Sequence, residues 1–172
     1  MSRAGGPARR RTGMGAVRWS CLVFALLGPA AGQAAERRIG PDERWSFVQG
    51  EDGPKFGYVL PASSNFEVFH FHCEPRNKRI TAYAGVGERR PASGRASVTL
   101  SAGGKSATLA GTVPNDEYDG IYSLHAVVPR AHPVFAALAT GERVRYSGPD
   151  GSGVLSARGL KPALERFLQA CR

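Results

Sequence analysis

Beyond residue 40, glycine and proline interrupt the chain at short intervals, and the runs between them alternate polar and apolar residues. "RASVTLSAGGKSATLAGTV", Arg95 to Val113, shows the pattern most clearly. Ala96, Val98 and Leu100 fall on one face, Ala107, Leu109 and Val113 on the matching face, and Ser97, Thr99, Thr108 and Thr112 on the other. A repeat of two with a glycine-rich turn between is the signature of a β-hairpin. "RWSFVQG", "KFGYVLP", "FEVFHFHC", "RITAYAGV", "IYSLHAVV", "RVRYS" and "GVLSA" read as further strands. In "IYSLHAVV", Tyr122, Leu124, Ala126 and Val128 are expected to point inward. No βαβ alternation, internal repeat or heptad appears. The fold class that follows is mainly β, an antiparallel sandwich or open barrel.

Two segments depart from the period of two. "HPVFAALATGE" predicts a short helix, with Pro133 near its start and Gly141 at its end. In "GLKPALERFLQACR", Leu160, Leu164, Phe167, Leu168 and Cys171 fall on one face of an amphipathic helix. Pro162 is tolerable in the first turn. This C-terminal helix is expected to pack on the sheet.

The first 34 residues read as an export signal. Arg3, Arg9, Arg10, Arg11 and Arg18 precede the apolar run "CLVFALLGPAAG", and no acidic residue occurs there. A basic stretch, a short apolar core and small exit residues form a cleavable signal peptide; Gly32 and Ala34 suit cleavage after Ala34. The run is shorter than the roughly 20 residues that cross a bilayer, and Cys21 lies ahead of the apolar core, where lipid attachment is not expected. Residues 35–43 read as a flexible arm and 44–172 as a single β-rich domain with no transmembrane segment. The balance of charge changes accordingly. The whole chain carries +9; five of its 23 basic residues and none of its 14 acidic ones lie before residue 35, so the remainder carries +4. Usage rich in alanine, glycine, arginine and proline points to a GC-rich bacterial source, and so to a periplasmic or secreted protein.

Cleavage would leave two cysteines, Cys73 and Cys171. An even count in an exported chain favours a disulfide. Cys73 shares a strand face with Phe69 and Phe71, and Cys171 shares a helix face with Phe167. A bond between them would staple the last helix to the sheet.

"FEVFHFHC" also holds His70 and His72, one residue apart. On a strand both imidazoles project from one face and could bind zinc or copper together. Cys73 points to the opposite face, so a third ligand must come from elsewhere, and neither His125 nor His132 is linked to the pair by spacing. The other motifs favour plain structure. "NDEYD" is a solvated acidic turn without the calcium-loop pattern. "GGKS" ends like a phosphate-binding loop but joins strand to strand, with Thr99 where that loop needs glycine. Ser152 lacks the flanking glycines of a nucleophile elbow. Trp45, Phe47, Tyr58, Phe69, Phe71 and Tyr83 read as core and not as a base-stacking platform, so no nucleic-acid partner is expected. The basic loops "RNKR" and "ERRP" read as solvated turns that could also favour an anionic partner.

Residues 132–171 carry a short helix ending in "LATG", two strands, "GL" and "AL" pairs and a final cysteine. This ending resembles that of small exported proteobacterial proteins, the invasion-associated locus B family and the TagO-like proteins associated with type VI secretion. The resemblance implies an exported β-sandwich-like domain without known catalysis. The reading that follows is a non-catalytic envelope-associated binding protein, its partner an envelope protein or an anionic envelope polymer. The alternative is an envelope metal-binding protein using His70 and His72.

Overall fold

In a computed structural model of the chain, residues 43–59, 69–118 and 120–172 are described. The expected signal peptide and residues 35–42 of the expected arm lie outside them, as do Phe66 and Val68 beside the histidines. Glu43, read as the end of the arm, belongs to the fold instead: it is buried, and Tyr58 Oη donates to its carboxylate at 3.1 Å.

The short runs form strands in chain order: β1 (Arg44–Gly50), β2 (Gly53–Val59), β3 (Phe69–Glu74), β4 (Arg79–Gly85), β5 (Arg95–Ala102), β6 (Lys105–Thr112), β7 (Glu117–Tyr118) and β8 (Ile121–Val128). Helix α1 (Pro133–Leu138), strands β9 (Val144–Gly148) and β10 (Gly151–Leu155), and helix α2 (Leu160–Ala170) complete the chain. Nine strands make one antiparallel sheet in the order β1-β2-β3-β4-β8-β6-β5-β9-β10, with β7 paired to β8 beside it. The mainly β expectation, with one short and one C-terminal helix, is met.

The sheet folds back on itself where β6 meets β8. These strands pair only at Thr112 and His125. Gly111 permits the close approach, because a Cβ there would collide with the His125 carbonyl. On one side of this joint lie β1, β2, β3, β4 and β8, and on the other β6, β5, β9 and β10. The ends of the strand order are then stitched together by the chain that follows β10. Trp45 N donates to Arg158 O at 2.9 Å and Trp45 Nε1 to Ser156 O at 2.8 Å, while Ser156 N donates to Tyr58 Oη at 3.1 Å. The result is sandwich-like.

The inward faces match the alternation of the sequence. Val98, Leu100, Leu109, Val113, Leu124, Ala126 and Val128 are buried. Helix α2 lies against β1 and β2, and α1 against β5 and β6. Between them stands an aromatic cluster: Phe71 lies 5.9 Å from Phe56, 4.9 Å from Phe135 and 6.3 Å from Phe167, centroid to centroid. Each such ring contributes roughly 1.5–3 kcal/mol on burial, as an upper estimate. The expected disulfide is formed. Cys73 and Cys171 are both buried, 98 residues apart in sequence, with Cα atoms 6.0 Å apart. Among the described residues no helix is long and apolar enough to cross a membrane.

Candidate functional site

The outer face of β3, β4 and β8 carries the histidines. His70, Tyr83 and His125 are direct cross-strand neighbours. The His70 ring stacks on Tyr83 at 4.6 Å with an interplanar angle of 11°, and His125 meets the other side of Tyr83 edge-on, also at 4.6 Å. Tyr83, expected in the core, is instead half-buried on this outer ladder, since Ile80, Ala82 and Ala84 take the inward positions of β4. His72 shares the face but turns away, its Nε2 3.1 Å from the Asp52 carbonyl oxygen. Burial holds the His125 imidazole below its ordinary pKa, with the charge of Asp116 acting in opposition. Among the described residues no group of three histidine, cysteine, aspartate or glutamate side chains converges as a metal site. The geometry thus places His70 in an aromatic ladder with Tyr83 and His125.

The basic loops are committed within the fold at Arg79 and Arg90, while Arg76, Lys78 and Arg89 are exposed. In the β3–β4 turn, Arg79 pairs with Glu74, and Asn77 donates to the same carboxylate at 2.8 Å. The hydrogen bonds from Asn77 and Arg79 hold the Glu74 carboxyl below its ordinary pKa. Arg90 Nε donates to the carbonyls of Val113 and Pro114 at 2.9 and 3.1 Å. Arg166 lies over the Phe47 ring at 4.7 Å, and Arg130 donates to the Cys171 carbonyl at 3.3 Å.

A second surface sets such unengaged cations beside an ordered array of hydroxyls. On the outer face of β6, β5, β9 and β10, strand register lines up two rows of side chains. Thr108, Thr99, Ser147 and Ser152 form one; Ser106, Ser101, Arg145 and Val154 form the other. With neighbouring strands about 4.8 Å apart, each row spans about 14 Å. Thr99 and Thr108 share a hydrogen bond of 3.0 Å, and Ser101 and Ser106 one of 3.2 Å, which leaves each hydroxyl further bonding capacity. Two adjoining depressions of about 350 and 680 Å³ cover this grid and share Ser101, Arg145 and Val154. The larger adds Lys105, Arg143 and Glu142. Lys105, Arg143 and Arg145 are exposed and make no ion pair among the described residues.

No known protein family matches the chain, nor does any curated protein or solved structure.

The remaining motifs fall where plain structure puts them. Gly103 and Gly104 close the β5–β6 hairpin with φ of 53° and 71°, the primed turn of a two-residue loop and not a phosphate cradle. Ser152 lies exposed in the hydroxyl row, opposite Ser147. His132 caps α1. In the sequence only Thr99 and Thr108 of this grid stand out as outward strand positions, while Ser101 and Ser106 read as part of the hairpin turn. The signal was present in the run of serine and threonine on the outward positions, together with Arg145, but the strand register that gathers them was not.

Proposed function

We propose that this is an exported, non-catalytic binding protein of the bacterial envelope, periplasmic or secreted, whose partner is an anionic envelope polymer. The polymer chemistry that fits is a polysaccharide bearing carboxylates or phosphates. The observation that carries this reading is the hydroxyl grid with Arg145 in its second row and Lys105 and Arg143 along its border. Hydroxyls there can both donate to and accept from sugar hydroxyls, and the flanking cations attract the acidic groups by long-range, salt-sensitive electrostatics. The Cys73–Cys171 bond supports export, because disulfides persist in oxidising compartments. The resemblance of residues 132–171 to exported envelope proteins supports the same placement.

The test uses polygalacturonate as the anionic probe and pullulan as the neutral one, by isothermal titration at low and high salt. The protein is expected to bind polygalacturonate and not pullulan, with affinity falling as salt rises. Replacing Lys105, Arg143 and Arg145 together by alanine should weaken binding by about tenfold or more, a loss on the order of 1.4 kcal/mol. Binding that ignores both salt and these substitutions refutes the reading.

A further inference from the structure

The inner faces of the folded sheet do not fill the space between them at one end. Protein interiors leave few voids larger than a water molecule, yet a cleft of about 260 Å³ remains between β3, β4 and the start of β8 on one side and β5, β9 and β10 on the other. Its walls are apolar: Phe69 and Ala84 from the first half of the sheet, Val98, Leu100 and Leu155 from the second. The void follows from side-chain size. Ala84 occupies an inward position that larger groups take elsewhere, such as Ile80 on the same strand.

The rim is polar, and its charge has one sign. Asp150, in the turn between β9 and β10, is the only charged residue lining the cleft among the described residues. Its carboxylate lies over Gly87, whose φ is 101°; a Cβ at position 87 would come within 2.8 Å of Asp150 Oδ1. Glycine at this point leaves the carboxylate its place at the rim. Among the described residues Asp150 has no ion-pair partner. Tyr146 adds a half-buried ring to the wall. An apolar cavity with one convergent charged group is the usual form of a small-molecule site.

We propose that this cleft binds a small apolar molecule carrying a cationic amine, its hydrocarbon part between the sheet halves and its ammonium group on Asp150. The site shares Tyr146 with the depression over the hydroxyl grid but none of the grid's hydroxyls or cations, and the proposal does not depend on that grid. Carboxylate against ammonium selects the head group, and the narrow apolar walls select a slender body. An acid of the same length would set like charges together at the rim and be rejected.

The test titrates the disulfide-bonded protein with n-hexylamine, n-hexanol and n-hexanoate, following backbone amide shifts by NMR. Saturable shifts are expected at Ala84, Val98, Tyr146 and Gly151, with the amine binding best and the carboxylate worst. Asp150→Asn, on an exposed turn, should weaken hexylamine by about tenfold and leave hexanol unchanged. Ala84→Ile should fill the cleft and abolish binding of all three. Should that variant fail to fold, Asp150→Asn still decides. Equal binding of amine and carboxylate, an unchanged hexylamine affinity in Asp150→Asn, or the absence of saturable shifts each overturns the proposal.

Discussion

His132 shows how one side chain ties a helix to pH. Its Nδ1 accepts a hydrogen bond from Val134 N at 3.2 Å, capping α1, and this requires that nitrogen to be unprotonated. Burial also holds the imidazole below its ordinary value of 6.5. As pH falls, the unfolded chain therefore takes up the proton first. The stability is present above about pH 6.5 and is lost as pH falls through the lower folded value. His125 contributes in the same direction, through its own burial. His132→Ala should cost about 1 kcal/mol at neutral pH, the usual value of an N-cap. His132→Asn should keep the cap and reduce the fall in Tm between pH 7 and 5, with His125→Gln reducing the rest. Thermal melts across that range check both; an unaltered slope in the double variant would assign the pH response elsewhere. Tyr83 marks the limit of what residues reveal singly. In "RITAYAGV" both faces hold apolar or amphipathic groups, and a tyrosine suits either, with an apolar body and a polar tip. Its place between two histidines needed the knowledge that β8 lies beside β4.

At the scale of elements, the disulfide does what alternation and helical period together implied. Phe69, Phe71 and Cys73 face inward at spacing two, Leu164, Phe167 and Cys171 at spacing three and four, and the two stripes meet. This much was legible because each element's period shows which side is apolar. The order of strands was not. β4 pairs with β8 across the inserted β5–β6 hairpin and β7, and nothing local in "RITAYAGV" or "IYSLHAVV" records that choice. The hydroxyl grid escaped notice for the same reason, since it exists only once β9 lies against β5. Replacing Cys73 and Cys171 by alanine opens a loop of 98 residues. Removal of such a bond should cost about 2–5 kcal/mol and lower Tm, read by calorimetry. The strands should persist, because their ladders do not pass through the bond, so far-UV circular dichroism of the variant below its melting point should remain that of the native protein.

For the whole molecule, the single pair between β6 and β8 poses a physical question: whether the two halves of the sheet unfold as one. Joined by that bridge alone, they would be separable. Three further ties cross between them. The seam at Trp45, Tyr58 and Ser156 binds the first strands to the chain after β10. Helix α1 sits on β5 and β6, α2 sits on β1 and β2, and the two helices touch. The cluster of Phe56, Phe71, Phe135 and Phe167 is built from both halves' coverings, so loosening either half opens the same core. Unfolding should then be two-state. Trp45 is a suitable reporter: it is 2 % exposed and stacked near Phe56, and it becomes the sole tryptophan once residues 1–34 are removed. In urea, its red shift should coincide with the loss of far-UV circular dichroism at one midpoint. Adding Trp45→Phe, read by circular dichroism, should lower that midpoint, because the ring N–H bond to the Ser156 carbonyl is lost and with it one stitch of the seam. A tryptophan transition that precedes the loss of strand signal would mean that the seam opens on its own and that the β6–β8 joint is a true boundary between folding units.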